Sequence, residues 1–465
     1  MTDLSHAYLL YSRHYLNVLR QARDLYLSGN DALQEAVKLF DQNAENIEKG
    51  QEAAAKTISK NNQMASICNE YPDSGLFLLD LRLHPSTQIR WLTAAIDASK
   101  AIQDFSAEGR HTGNLGNAFA DLGDLKQAIS CYQRHKIIAQ QTTDLRGEAN
   151  ATGNIANIFY AQGKSREAIE FYKDALNIQR KISDRRGEGA TLVNLGAASS
   201  TLGDLAGAIS YYEQALNVLK ELGDLRSEGI VLGNLGLAYA DLGEAGKAIE
   251  YYEMRLTIAR NLDDLRSECT TLGSLGLIYA SKGDIKQALE FQSKSMQISR
   301  EIGDQRAYMK ALANIGGLLL DSGKSEEAAG QLDIALHLAR QIGDRFLEGR
   351  ILNNLGICHR ENREISLGYF DQAMTIARDI GDFQSEGNVW RNKGRSYFLS
   401  GMYQEAIDYY KQSLDIVRKL GDMQREAAVL GDLGDVYNAM NQPGKAKDYH
   451  KMKKKLTQRN FSRLK

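Results

Sequence analysis

The sequence predicts an all-α solenoid: a stack of about nine helical hairpins behind an N-terminal helical cap. Three observations lead to this prediction. The chain repeats itself every forty residues, it has only three prolines with none between residues 86 and 442, and apolar residues recur at spacings of three and four in each repeat. Because one hairpin cannot cover its own apolar face, the hairpins are expected to stack around a shared core.

The N-terminal residues 1–88 precede the repeats and are interpreted as the helical cap. Polar residues such as Asp3 and Arg13 interrupt the first apolar runs, so the sequence predicts neither a signal peptide nor a membrane span. The four cysteines are widely spaced and form no CxxC pair, which is typical of reduced thiols and not of a disulfide framework or a zinc site. We therefore expect a cytoplasmic protein.

The repeats occupy residues 89–450. One small residue recurs in every unit and defines nine of them: Gly116, Ala156, Gly196, Gly236, Gly276, Gly316, Gly356, Gly394 and Gly434. One spacing is 38 residues instead of 40, in the unit that contains CHRENREISLGYF, where the glycine of the turn is missing. The turn between the two helices of this unit is expected to be cut or rebuilt.

Two kinds of residue punctuate each repeat. Glycines in the middle of the unit are expected to adopt the left-handed conformation that ends a helix: Gly123, Gly163, Gly203, Gly243, Gly283, Gly323 and Gly401. Aspartates between units are expected to cap the next helix: Asp144, Asp184, Asp224, Asp264, Asp304, Asp344, Asp382 and Asp422. The small residue of each unit is expected to face an alanine of the second helix, as Gly116 would face Ala128.

The fourth unit carries Leu235, Gly236, Tyr239, Ala248 and Tyr252 in a spacing that resembles the tetratricopeptide repeat. This resemblance implies a right-handed superhelix with a concave groove lined by the first helix of each unit. The forty-residue form with a GDLR-like turn is similar to the repeats of Pins-family adaptors and to the sensor regions of bacterial STAND signalling ATPases, which are related to innate-immunity receptors. Such repeats bind segments of other proteins.

Amide side chains recur at the groove positions that the resemblance implies. An amide offers an extended peptide both a donor and an acceptor, although a repeated asparagine can instead bond to a neighbouring helix and fix the stacking. The candidates are Asn114, Asn117, Asn154, Asn157, Asn194, Asn234, Asn314, Asn353, Asn354 and Asn392.

Basic side chains gather toward the C-terminal part of the groove and would favour an acidic partner. They are Lys310, Arg350, Arg360, Arg391 and Arg395. The alternative interpretation is ordinary solvated surface charge. A row of glutamates near the starts of the first helices, Glu188 among them, is expected to form salt bridges between neighbouring units.

Several functional classes lack support in the sequence. No singular acidic, histidine or cysteine cluster indicates catalysis or a metal, and no cofactor is predicted. The two GKS triplets, at residues 163–165 and 323–325, lack the first glycine of a phosphate-binding loop, so no nucleotide is expected. With 57 basic and 59 acidic residues the chain has no general attraction to nucleic acid or membrane. The basic tail 451–465 is interpreted as a solvated end of the last helix.

The favoured function is an adaptor or scaffold that binds a protein or peptide segment in the groove. The alternative is a ligand-sensing or regulatory subunit that controls a separate effector, and an enzyme is the third hypothesis. Partner identity, pathway and oligomeric state are left open.

Overall fold

In the computed structural model, residues 2–29 and 32–463 are described, and they form 22 α-helices and one short 3₁₀ turn, with no strand among them. The N-terminal helices are α1 (Thr2–Ser28), α2 (Ala32–Ala55), α3 (Asn62–Arg82) and α4 (Pro85–Ala101). The repeats follow as α5 (Phe105–Asp121), α6 (Leu125–Gln141), α7 (Leu145–Ala161), α8 (Ser165–Lys181), α9 (Arg185–Thr201), α10 (Leu205–Leu222), α11 (Leu225–Asp241), α12 (Ala245–Asn261), α13 (Leu265–Ser281), α14 (Ile285–Glu301), α15 (Gln305–Asp321), α16 (Ser325–Ile342), α17 (Arg345–Cys358), α18 (Arg363–Asp379), α19 (Phe383–Leu399), α20 (Tyr403–Lys419), α21 (Met423–Ala439) and α22 (Pro443–Arg463).

The helix lengths account for the forty-residue period. In the first repeat, α5 and α6 each have 17 residues, and three residues separate each helix from the next. Helices that are neighbours in the chain pack against one another, as in α5 with α6, α6 with α7 and α13 with α14. The prediction of an all-α solenoid of helix-turn-helix repeats is therefore confirmed.

The turns form as the sequence predicts. All seven mid-repeat glycines have a φ between 74° and 85°, which is the left-handed region. All eight inter-repeat aspartates are N-caps whose side chains accept a backbone N–H bond, as when Asp144 accepts from Gly147 N at 2.9 Å. These glycines and aspartates thus set where the helices of the regular repeats end and begin.

The shortened unit is rebuilt at the predicted turn. Its first helix, α17, ends at Cys358 after 14 residues. Asn362 then caps α18 by accepting from Ile365 N at 3.3 Å. No residue from 359 to 362 has a positive φ, so this turn does not need the glycine that the other units use.

Two of the small residues lie against aromatic rings of the second helix, while the expected contact with the alanines stays a prediction. A Cβ placed on Gly116 would lie 2.6 Å from Cε1 of Tyr132, and one on Gly196 would lie 2.4 Å from Cε1 of Tyr212. In these two units the small residue accommodates a ring four residues beyond the alanine, and Ala128 itself is fully buried.

Several glutamates of the row form salt bridges with arginines of the neighbouring hairpin, as predicted. Glu188 accepts from Arg180 Nε at 2.8 Å, and Glu348 accepts from Arg340 Nε at 2.9 Å. In each case the arginine lies eight residues earlier, on the second helix of the preceding hairpin. These pairs join neighbouring hairpins.

The chain forms two compact units, Met1–Gly243 and Glu244–Lys465. The core of the first unit includes an N-terminal cluster in which Leu19, Phe40, Tyr71 and Trp91 are buried. The core of the second unit includes Leu332, Leu355 and Phe370. The predicted boundary at residue 88 falls within α4, and residues 450 and 451 both belong to α22.

Candidate functional site

The first unit contains a groove on the faces of α5, α7 and α9. Its cavity has a volume of about 580 Å³ and is lined by five of the predicted asparagines: Asn114, Asn117, Asn154, Asn157 and Asn194. Gly113 and Gly153 form part of its floor. A Cβ built on Gly153 would meet no atom within 4 Å, so the space above that residue is open. We call this surface the asparagine groove.

A second cavity, of about 380 Å³, adjoins the asparagine groove because both are lined by Asn114 and Asn117. Helices α3 and α4 supply the rest of its wall, including Asp80 and Trp91, and α5 supplies Asp121. Asp80, which belongs to the predicted cap, therefore lines this second cavity. Sequence reasoning missed these residues because no repeat motif marks them.

Two of the asparagines are held by matching hydrogen bonds. The Oδ1 atom of Asn117 accepts from the Tyr132 hydroxyl at 2.8 Å and from Asn154 Nδ2 of the next hairpin at 3.5 Å. The Oδ1 atom of Asn157 accepts from the Tyr172 hydroxyl at 2.7 Å and from Asn194 Nδ2 at 3.3 Å. The same asparagines thus contact neighbouring hairpins and line the groove.

The tyrosine hydroxyls are reliable donors in this arrangement. Burial raises the pKa of Tyr132 and of Tyr172 to about 12, so both stay protonated at neutral pH. With their oxygens engaged, Asn117 and Asn157 each keep an Nδ2 group that makes no hydrogen bond to the described residues. A pair of oriented N–H donors suits the carbonyl oxygens of an extended chain.

The N-terminal end of this surface is acidic. Burial and the neighbouring Asp121 charge both raise the pKa of Asp80. Asp73 lines the asparagine groove and accepts from Arg110 Nη2 at 3.2 Å. This end therefore does not favour the acidic ligand that the basic residues farther along the chain suggest.

Two buried polar side chains also line the asparagine groove. His135 and Gln179 are 8% and 5% exposed, and His135 Nδ1 and Gln179 Oε1 lack hydrogen-bond partners among the described residues. Burial lowers the pKa of His135, which leaves its ring neutral at neutral pH. The residues forty and eighty positions later are alanines, at 175 and 215, so this imidazole is particular to the first hairpin.

The other predicted asparagines have different surroundings. Asn234, on α11, is half-buried and lines neither cavity. In the second unit Asn392 Nδ2 donates to Asn353 Oδ1 at 2.9 Å, and Asn314 Nδ2 donates to Gln292 Oε1 at 3.4 Å. Asn354 lies beside Gly317. The amides of Asn314, Asn353 and Asn392 therefore connect helices.

The basic candidates of the second unit are not equivalent. Arg391 Nε donates to Asp432 Oδ2 at 2.5 Å, so this guanidinium already forms a salt bridge within the chain. Lys310 and Arg350 are exposed. Arg360 and Arg395 line a cavity of about 220 Å³, together with Asn392 and Ser396.

The family profile described as tetratricopeptide repeat matches residues 108–181, 187–261, 267–341, 347–419 and 385–452. These matches cover well over half of the chain. The chain belongs to the tetratricopeptide repeat family. No curated protein matches the sequence significantly over its length.

Solved tetratricopeptide-like structures share this fold at low sequence identity. The apo form of RapI matches with a TM-score of 0.53 and 18% identity, covering 59% of this chain and 99% of that one. The apo quorum sensor NprR from B. thuringiensis has a TM-score of 0.53 and 15% identity, over 73% and 99% of the chains. A Rap protein complexed with competence and sporulation factor has a TM-score of 0.51 and 14% identity, over 77% and 100%.

Residues 2–29 and 32–463 carry neither a metal-binding group of side chains nor a membrane-spanning helix. No group of three histidine, cysteine, aspartate or glutamate side chains in these ranges is arranged to hold a metal ion. None of the helices in these ranges is both long enough and apolar enough to cross a membrane.

Proposed function

We propose that this tetratricopeptide repeat protein is an adaptor that binds an extended protein or peptide segment in the asparagine groove. The observation that carries the proposal is the pair Asn117 and Asn157, whose oxygens are engaged by tyrosines while their N–H₂ groups stay unpaired among the described residues. Preorganised donors lose little entropy when they bind a carbonyl. The open floor at Gly153 lets a main chain approach closely.

The comparisons support a binding role. Among structures of similar fold, one is a quorum sensor and another is a Rap protein in complex with a factor. A bound segment would form main-chain hydrogen bonds in the asparagine groove and place its side chains in the neighbouring cavities. We propose that the protein acts in the cytoplasm, which agrees with four cysteines that are all free thiols.

The test is a selection of linear peptides from a random phage-displayed library, panned against the full chain. We expect enriched peptides to bind the wild type and to bind the double variant Asn117→Asp/Asn157→Asp much more weakly. Each aspartate keeps the oxygen that accepts from tyrosine but replaces the free donor with an acceptor. Loss of two hydrogen bonds worth about 0.5–1.5 kcal/mol each predicts a fall in affinity of about fivefold to more than a hundredfold.

The matched control is Asn177→Asp/Asn217→Asp, which makes the same change in charge at exposed positions of α8 and α10 that lie outside the groove. This control is expected to bind the selected peptides as the wild type does. The proposal would be refuted if no peptide were enriched, or if both double variants bound the selected peptides equally well.

A ligand-sensing regulator is the second candidate, and the similar fold of the quorum sensor NprR favours keeping it. It differs from an adaptor in requiring that a bound peptide change the affinity for another protein. It would be ruled out if the proteins that the full chain captures from a cell lysate bound it equally well with and without the selected peptide.

A further inference from the structure

The shortened repeat places an arginine where the other repeats have a helix end. Because α17 stops at Cys358, Arg360 lies in the turn before α18. Its Nε atom donates to the Ile357 carbonyl at 3.2 Å, which leaves the two terminal nitrogens of the guanidinium for another acceptor. Arg360 lines a cavity of about 220 Å³ in the second unit. We call it the arginine cavity.

A second arginine lines the same cavity. Arg395 lies one helical turn after Arg391 on α19, but the two differ in their pairing. Arg391 is bonded to Asp432, whereas neither Arg360 nor Arg395 has a carboxylate within salt-bridge distance among the described residues. The cavity therefore carries two positive charges that this chain does not neutralise by direct contact.

A buried hydroxyl completes the cavity. Ser396 is only 4% exposed and lines the cavity, and its Oγ atom makes no hydrogen bond to a described residue. Buried polar groups in folded proteins are nearly always hydrogen-bonded. The neighbouring Asn392 amide donates to Asn353 and is therefore engaged within the chain. The Ser396 hydroxyl has no such partner among the described residues and can bond to a ligand.

We propose that the arginine cavity binds an oxyanion carried by a peptide segment, either a carboxylate or a phosphate. Two guanidinium groups and one hydroxyl are all donors, and charge-assisted bonds to oxyanions are the strongest use of such a set. This inference rests on the proposed function only in that the ligand is a peptide.

The test uses the full chain and three fluorescein-labelled nonapeptides of glycine and serine that differ at the central residue: aspartate, phosphoserine or asparagine. Fluorescence anisotropy is expected to show tighter binding of the two anionic peptides than of the asparagine peptide. Preference for phosphoserine over aspartate identifies phosphate as the oxyanion, and the reverse order identifies carboxylate. Equal binding of all three peptides would overturn the inference.

Three variants test the residues. Arg360→Gln and Arg395→Gln are each expected to weaken the anionic peptides at least fivefold, and Ser396→Ala is expected to weaken them while leaving the charge unchanged. The control Arg306→Gln removes an exposed charge on α15, outside the cavity, and should have no effect. Equal weakening by the three arginine variants, with no effect of Ser396→Ala, would indicate general charge attraction and would contradict a built site.

Failure here is distinguishable from failure of the proposed function. If the peptides selected by phage display bind through Asn117 and Asn157 while the anionic peptides do not bind, the arginine cavity is refuted and the adaptor function stands. If the anionic peptides bind with the expected variant pattern while no peptide is selected for the asparagine groove, the arginine cavity stands and the groove proposal fails.

Discussion

The close approach of paired helices predicts opposite effects for the same substitution at two glycines. In Gly196→Ala the new Cβ would lie 2.4, 2.6 and 2.8 Å from three ring atoms of Tyr212, which is 4% exposed. In Gly153→Ala the new Cβ would meet nothing within 4 Å. Both glycines lie within helices, so both substitutions gain about 1 kcal/mol in helix propensity.

Packing decides the sign. An extra methyl in a filled core costs about 1–3 kcal/mol because the ring and the backbone must shift. The free energy of unfolding should therefore rise by up to about 1 kcal/mol in Gly153→Ala and fall by about 0–2 kcal/mol in Gly196→Ala.

Urea unfolding followed by circular dichroism at 222 nm measures the two changes. Repeats unfold as coupled neighbours, so hydrogen exchange should place the loss in α9 and α10 of Gly196→Ala. Stabilisation of both variants by the same amount would refute the close contact between Gly196 and Tyr212.

Two further predictions concern pH and capping. Burial lowers the pKa of His111 and of His135, so their contribution to stability is complete above the unfolded pKa of about 6.5 and is lost as the pH falls toward the folded value. The urea midpoint of the wild type should therefore drop between pH 7.5 and 5.5, and that of His135→Ala should drop less. An equal drop in both proteins would contradict a role for this imidazole. Asp204 caps α10 by accepting from Gly207 N at 2.9 Å, and Asp204→Ala should cost about 0.5–2 kcal/mol in urea unfolding, a result that an unchanged midpoint would exclude.

The repeat architecture could be predicted from the sequence because its signals are local. Gly123 ends α5 and Asp144 caps α7 through chemistry that involves only neighbouring residues. A forty-residue period then repeats each signal many times. The turn of the shortened unit was also predicted, since the missing glycine changes the local geometry directly.

The partners across helices could not be predicted in the same way. The sequence does not show that the Tyr132 ring lies against Gly116, because that depends on the crossing of two helices. It likewise gives no sign that the Asp432 carboxylate forms a salt bridge with Arg391. Charge alone suggested that Arg391 and Arg395 were alike.

The candidate site was predicted in part. Five asparagines expected in the groove do line one cavity. Asp80 and Trp91, which lie in α3 and α4, were missed because no repeat motif marks them. The wider likeness to Pins-family adaptors and STAND sensor regions stays a prediction.

The most direct test of the account asks where a selected peptide lies on the protein. A photo-crosslinking residue, p-benzoylphenylalanine, is placed at Asn150, which is exposed and lines the asparagine groove, or at Asn177, which is exposed outside it. After irradiation with the selected peptide, mass spectrometry should find the peptide attached at position 150 and not at 177. Attachment at 177 alone, or equally at both positions, would contradict binding in the asparagine groove.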